Sequence, residues 1–317
     1  MTGSDATGIT PTSINAESQT DYGSSESVTP IRVGQEILFV QRTENKLRAM
    51  VYDFDTDGMV ASDLTLLAEH IMTGGIVDMA YQQEPYSIIY AVRTDGTLLA
   101  LAYDKASGIV GWSRYVLGDS ALFKAVGVVK HPDGDRDQVW VAIKRGTDYY
   151  IEYFEDEGYY GNINVDNAFV YDGASISKVI GLGRFNSKTV NVVVDGVRQA
   201  DVVVSGGVVD LSPAGQKIEI GLPFTATLKT LRPEIQTETG SNQGRRMRWA
   251  EIFIRLYKTI KLKVEGTAVD SLGSTEYTGD VRVANLGWDR NGNVTITHDE
   301  PLPCTILGLM GNLTYED

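Results

Sequence analysis

The chain has 317 residues, of which 42% are hydrophobic, so it is long enough for two ordinary domains with buried cores. Its 42 acidic residues outnumber its 28 basic ones, and the net charge of -14 argues against a protein that grips nucleic acid through a basic surface. A single cysteine, Cys304, excludes an internal disulfide, and the absence of any apolar run near the roughly 20 residues of a membrane helix argues against stable membrane insertion.

The first predicted element is an extended segment over residues 1–30, which is rich in Ser, Thr, Gly and acidic residues. The second, residues 31–160, contains a repeat of about 51 residues, in which an apolar strand, a polar turn and another apolar strand follow one another. The three copies are Ile37–Tyr52, Ile88–Tyr103 and Val139–Phe154. Two sets of residues recur at a spacing of 51, namely Arg42, Arg93 and Lys144, and Tyr52, Tyr103 and Phe154.

Further strand-like pieces lie between these hairpins, so that each copy contains about four strands. A four-stranded antiparallel unit repeated at this length is typical of a propeller blade, and a blade must stack on a neighbour to bury its faces. Three such units are visible, whereas a closed propeller needs at least about four. The sequence therefore predicts an all-β fold with a partial β-propeller, followed by modules of the β-sandwich or β-barrel kind.

The second half of the chain has a different pattern, which predicts an inserted β module over residues 161–233 and a C-terminal β platform region over residues 234–317. In the former, the strands Val190–Val194 and Asp201–Val204 are joined through Asp195-Gly196, a hairpin-type dipeptide. In the latter, Ala250–Thr259 alternates with period two, which favours a strand over a helix. A hairpin turn at Asn291-Gly292-Asn293 is expected between Val281–Ala284 and Val294–Thr297.

Known catalytic motifs are absent from the sequence, so we expect no enzymatic activity and no cofactor. Three acidic stretches imitate calcium loops, although each lacks part of the EF-hand pattern and reads better as a turn between strands. The weak calcium candidates are Asp53, Asp55 and Asp57, which spell DxDxDG with Gly58. The other two stretches are Asp133, Asp135 and Asp137, and Asp289, Asn291 and Asn293 with Glu300 in the twelfth position.

A group of basic residues, Arg245, Arg246 and Arg248, stands out in this acidic chain. The favoured interpretation is a solvated strand end or an intersubunit ion pair. Contact with DNA or with an acidic partner is the alternative, although three charges do not hold a duplex at physiological salt.

Several blocks of the sequence resemble the nozzle, or tail tubular B, proteins of short-tailed bacteriophages. The similarity runs in order over nearly the whole chain after about residue 8, and the blocks are Ile31–Arg42, Asp63–His70, Gly74–Tyr81, Gly221–Leu231, Ile252–Tyr257 and Gly287–Arg290. None of these blocks is a catalytic motif, and in that family they lie in the C-terminal portion of a longer protein. The resemblance therefore implies that an N-terminal half precedes them in relatives.

This resemblance implies a structural component of the virion tail, which forms the distal nozzle of the DNA-ejection channel. The expected partners are copies of the chain in a homohexameric ring, a tail adaptor protein, tail fibres or spikes, and viral DNA that passes through the lumen without sequence-specific binding. Two alternatives remain open. One is a propeller that binds or cleaves carbohydrate through Trp112, Trp140, Trp249 and Trp288, and the other is a propeller scaffold for protein–protein binding.

Overall fold

A computed structural model describes residues 2–3, 14–15, 18–155, 164–237, 240–241, 244–284 and 286–316. The described residues form β-strands and loops, without an α-helix among them, which confirms the predicted all-β class. The short 3₁₀ turns are Glu69–Ile71, Gly118–Ser120 and Gly183–Phe185. Within the described residues, no helix has the length and apolar character needed to cross a bilayer.

The chain divides into two compact units. The first unit comprises Met1–Tyr115 and Ser120–Glu155, and the second comprises Val116–Asp119 and Asp156–Asp317. The strands of the first unit are β1 (Thr2–Gly3), β2 (Ile14–Asn15), β3 (Ile31–Val33), β4 (Glu36–Val40), β5 (Leu47–Asp53), β6 (Gly58–Asp63), β7 (Ile76–Gln82), β8 (Ile88–Arg93), β9 (Leu98–Asp104), β10 (Ile109–Tyr115), β11 (Leu122–Lys130), β12 (Asp137–Arg145) and β13 (Asp148–Tyr153).

Antiparallel sheets of consecutive strands carry the predicted repeat. The first sheet has the order β3-β4-β5-β6 and the second has β10-β9-β8-β7, so both are four-stranded meanders of the propeller-blade type, as predicted. The third sheet departs from the prediction of four strands, because its order in the described residues is β11-β12-β13. The repeat spacing therefore locates the two inner strands of each unit correctly, whereas the outer strands differ between units.

The first two sheets pack face to face over one core. Leu38 and Ala49 of the first sheet share a buried cluster with Ile89 and Leu101 of the second, and each pair consists of cross-strand neighbours. Across the opposite face of the second sheet, the rings of Tyr90 and Phe154 lie 6.0 Å apart. Because both faces of the second sheet are covered, its central strands are apolar at nearly every position.

The aromatic residues that recur every 51 positions do not occupy equivalent places. Tyr52 lies on the outer face of the first sheet and is 53% exposed, whereas Tyr103 is buried and donates its hydroxyl proton to the carboxylate of Glu36. The hairpin register explains the difference: Leu38 pairs with Ala49, but Ile89, which lies 51 residues after Leu38, pairs with Leu101 and not with Ala100. A slip of one residue moves a strand's side chains to the other face of its sheet.

The second unit contains β14 (Asp166–Ile180), β15 (Thr189–Val194), β16 (Val197–Arg198), β17 (Val202–Val203), β18 (Val208–Leu222), β19 (Ala226–Lys229), β20 (Gln236–Thr237), β21 (Gly240–Ser241), β22 (Met247–Thr259), β23 (Lys263–Val264), β24 (Thr267–Ala268), β25 (Tyr277–Ala284), β26 (Thr295–His298) and β27 (Thr305–Tyr315). One sheet has the order β14-β18-β15-β16, the next has β19-β26-β23-β24, and a third has β25-β22-β27.

Two apolar cores support these sheets. Alternating residues of β15 and β18, such as Val192 and Ile220, form the core of the first sheet of this unit. The other core lies under β22 and β26, where Ile254 and Ile296 are buried. Strand β22 confirms the strand that the alternation of Ala250–Thr259 predicted, because its even-numbered apolar residues face this core.

The turns of the second unit include one correct and one wrong prediction. Asp195 and Gly196 connect β15 to β16 with φ of 50° and 77°, which is the conformation of the expected tight hairpin turn. The hairpin predicted around Gly292 is wrong, since β25 pairs with β22 while β26 pairs with β19 and β23. The β19–β26 pairing also places residues 226–229 in one sheet with the C-terminal region.

We expect Tyr103→Phe to lower the free energy of unfolding by ~1–2 kcal/mol, because it removes a hydrogen bond to a buried carboxylate. The matched control is Tyr52→Phe, whose hydroxyl donates to Asp57 in an exposed turn and whose loss should change stability by less than about 0.5 kcal/mol. Urea denaturation followed by circular dichroism measures both variants. Equal losses of unfolding free energy in the two variants would contradict the burial of Tyr103 and the exposure of Tyr52 that follow from the difference in hairpin register.

Candidate functional site

The weak calcium candidates lie in the exposed turn between β5 and β6, where their carboxylates bind groups of the turn itself. Asp53 accepts a hydrogen bond from the backbone N–H of Asp55 at 3.2 Å and another from the hydroxyl of Thr56 at 3.2 Å. The hydroxyl of Tyr52 donates to Asp57 at 2.6 Å. In the part of the chain that the structure describes, no group of three or more His, Cys, Asp or Glu side chains is arranged to hold a metal ion.

The three arginines at the start of β22 contact groups of the C-terminal strand and its surroundings. Arg246 pairs with Glu316 at 3.5 Å, while the guanidinium of Arg245 lies 5.8 Å from the centre of the Tyr315 ring. The guanidinium of Arg248 lies 5.3 Å from the ring of Trp288. These intramolecular contacts are compatible with a strand end, and an interface or DNA-facing role for the three arginines stays a prediction.

The tryptophans proposed to stack on sugars have different environments. Trp112 and Trp249 donate their indole N–H groups to backbone carbonyls, at 2.9 Å and 2.7 Å, and both pack against a buried core. Trp140 packs on Tyr153 with 5.1 Å between ring centres. Trp288 is 38% exposed. The indole N–H groups of Trp112 and Trp249 are therefore already bound within the protein.

A concave, polar site of the second unit is a cleft of about 470 Å³, which we call the polar cleft. Its charged lining residues come from distant parts of the sequence, and sequence patterns give no sign that they meet. The cleft is lined by Asn191, Arg198, Asp201, Pro223, Phe224, Thr225, Lys263, Asp299 and Glu300. Of these residues, only Glu300 is a site candidate by sequence pattern, as a member of a calcium-like loop.

Arg198 is the centre of the charge arrangement in the polar cleft. Its guanidinium pairs with Asp201 at 3.0 Å and also with Glu300, which lies 102 residues away in the sequence. A third ion pair joins Lys263 to Asp299. Glu300 thus serves as the partner of an arginine in the fold, and the calcium-like spacing from Asp289 to Glu300 has no structural counterpart.

Asn191 forms a rigid part of the cleft wall. It is 3% exposed and lies on β15, where strand alternation places it on the face opposite the core residues Val190 and Val192. Its side-chain amide donates to Asp201 at 2.8 Å, and this hydrogen bond orients the carboxylate toward Arg198. The donors and acceptors of the cleft are therefore held by ordered strands and by each other.

Two buried ionisable side chains elsewhere in the second unit have perturbed pKa values. Burial lowers the pKa of His298, against the opposing influence of Asp299 and Glu300, and its Nε2 atom has no hydrogen-bond partner. Burial raises the pKa of Glu219 to about 7, and its Oε1 atom likewise has no partner. Protonation of His298 therefore destabilises the fold as the pH falls below the unfolded-state pKa, whereas ionisation of Glu219 destabilises it as the pH rises.

Comparisons with known proteins give no family for this chain. No family model matches it, and no curated protein matches it. A solved exo-beta-1,3-galactanase from Phanerochaete chrysosporium with beta-1,3-galactotriose is similar over 89% of this chain, at 12% identity and a TM-score of 0.25, and the chain covers 65% of the galactanase. The Dos1 propeller is similar over 83% of this chain and 74% of its own, at 10% identity and a TM-score of 0.26. Neither similarity bears on activity.

Glu219→Gln should stabilise the protein in a pH-dependent manner. The native carboxyl ionises near pH 7 and the unfolded one near pH 4.5, so the native state loses stability between these values as the pH rises. The gain in unfolding free energy from the substitution is expected to be larger at pH 8 than at pH 5 by roughly 2 kcal/mol.

Urea denaturation at the two pH values measures this difference. Glu276→Gln is the matched control, because it makes the same chemical change at an exposed carboxyl of the same unit. A gain for Glu219→Gln that is the same at both pH values would show that the carboxyl is solvated in the native state.

Proposed function

We propose that this protein is a structural component of a bacteriophage tail, where copies of the chain form a ring at the distal nozzle of the DNA-ejection channel. The partners would be other copies, a tail adaptor and tail fibres or spikes. The sequence resemblance motivates this proposal, and the exposed outer face of the third sheet supports the assembly that it requires.

This outer face includes the apolar residues Val129, Trp140, Tyr149, Ile151 and Tyr153, which the strand register places on one side of the sheet. Lys144 lies on the same side, with its ammonium group 5.8 Å from the centre of the Tyr149 ring. Four of the apolar residues are strongly exposed: Val129 at 53%, Tyr149 at 66%, Ile151 at 70% and Tyr153 at 46%. An exposed patch that is mainly apolar and aromatic is typical of a protein–protein interface. The opposite face of the same sheet is buried, with Val141 and Ile143 at 2% and 1% exposure.

The edge of the same sheet supports association as well. Strand β13 pairs with β12 and with no other described strand, so one side of its backbone has hydrogen-bonding groups available. Its sequence, Asp148–Tyr153, contains neither proline nor lysine, the residues that commonly protect an edge against pairing with another chain.

The acidic composition suits the proposed passage of DNA. With a net charge of -14, the chain repels phosphate and does not retain a duplex that passes close to it. Electrostatic repulsion of this kind permits sliding without sequence-specific binding, which is the behaviour required of a channel wall.

The oligomeric state of the purified full chain tests the proposal. We expect native mass spectrometry and negative-stain electron microscopy to show a closed ring, because the outer face of the third sheet needs a partner to cover it. Ile151→Lys should shift the population to monomers by placing a charge in the centre of this face. A strictly monomeric wild-type protein would refute the ring.

Leu67→Lys provides the matched control for this experiment. Leu67 is 98% exposed and lies in the loop after β6, away from the third sheet, so its replacement should leave the ring population unchanged. Equal dissociation by both variants would indicate that added charge, and not the loss of the outer face, separates the copies.

A further inference from the structure

We propose that the polar cleft of the second unit binds a neutral saccharide of one or two rings. The proposal concerns a site in one chain and goes beyond the structural role argued above. It rests on the lining of the cleft, whose charged side chains are paired with each other and whose wall includes an apolar segment.

The ion pairs of the cleft match the chemistry of a hydroxyl group. A hydroxyl donates one hydrogen bond and accepts others, so it is bound best where a carboxylate and a cation lie side by side. Arg198 with Asp201 is one such pair, and Lys263 with Asp299 is another. A polyhydroxylated ligand can therefore bind both pairs without separating them.

The charge balance of the cleft disfavours anionic ligands. Its lining carries two cations, Arg198 and Lys263, and three carboxylates, Asp201, Asp299 and Glu300, which gives a local charge of 2 − 3 = −1. Each cation already has a carboxylate partner, so a phosphate or sulfate would need to displace it. Within the described residues no metal-binding group of carboxylates exists, so binding through a cation is not implied either.

The wall of the cleft is already arranged for a ligand in the free protein. Asn191 lines the cleft and its amide nitrogen donates to Asp201 at 2.8 Å, which orders this part of the wall. Pro223 and Phe224 add an apolar segment on which the C–H face of a sugar ring can pack. A volume of about 470 Å³ lies within the range of small-molecule sites.

Saturation-transfer difference NMR on the full chain tests the proposal. The probes are glucose, galactose, N-acetylglucosamine, maltose and lactose, with inorganic phosphate and spermidine as charged comparisons. We expect saturation transfer to at least one saccharide, and no competition with that signal by phosphate. An absence of transfer to every saccharide would overturn the proposal, as would displacement of the saccharide by phosphate or binding of spermidine alone.

Two matched variants locate the binding. Asp299→Asn removes the carboxylate of the Lys263 pair in the cleft, whereas Asp210→Asn removes the carboxylate of the exposed Lys178–Asp210 pair elsewhere in the same unit. The dissociation constant of the bound saccharide should rise at least fivefold in the former and stay unchanged in the latter. Equal affinity in both variants would place the saccharide outside the cleft.

A second variant distinguishes weaker saccharide binding from a folding defect in Asp299→Asn. Thr225→Val replaces an exposed hydroxyl of the cleft lining by an isosteric apolar group and leaves both ion pairs intact. It should also weaken saccharide binding, with unchanged circular dichroism. Because ring formation is measured by mass and microscopy, failure of saccharide binding leaves the proposed nozzle function untouched, and failure of the ring leaves this cleft untouched.

Discussion

Burial of the faces of its β-sheets is the constraint on which the first unit depends. A four-stranded meander with apolar residues on both sides is unstable alone, because each face must be covered by another layer. The second sheet meets this requirement on both faces, through the core that contains Leu38 and Ile89 and through the ring contacts of Tyr90. The third sheet meets it on one face. Its outer face leaves Ile151 and its neighbours exposed, and the proposed ring supplies the missing layer.

The second unit combines apolar cores with partly exposed ion pairs. Val192 and Ile220 pack within one sheet's core and Ile254 and Ile296 within another's, so these regions need no polar contacts for cohesion. Arg198 and Glu300 nevertheless join residues 102 positions apart. Ion pairs between partly exposed groups add little stability, because water screens them. Their position around one cleft is better explained by ligand binding, because the hydroxyl groups of a ligand need hydrogen-bond donors and acceptors side by side. This is the basis of the saccharide proposal.

Glu219 and His298 are buried ionisable side chains, and each lowers the stability of the second unit when it carries a charge. Both are buried with one atom unpartnered, and burial shifts their pKa values in opposite directions, upward for the carboxyl and downward for the imidazole. The second unit is therefore destabilised by ionisation of Glu219 at high pH and by protonation of His298 at low pH. Buried groups of this kind are tolerated because the surrounding apolar packing offsets their desolvation.

Local patterns in the sequence determined the strands and several turns. Period-two alternation identified β22, and the Asp195-Gly196 dipeptide identified the turn after β15, since both depend on neighbours in the chain. The repeat likewise located the inner strands of the first unit. Tertiary structure alone decided which face each strand presents: a one-residue slip in hairpin register exposes Tyr52 and buries Tyr103, although the two are 51 residues apart in the repeat. It alone also paired Arg198 with Glu300 and assigned β25 and β26 to different sheets, because contacts over such separations depend on how whole sheets pack.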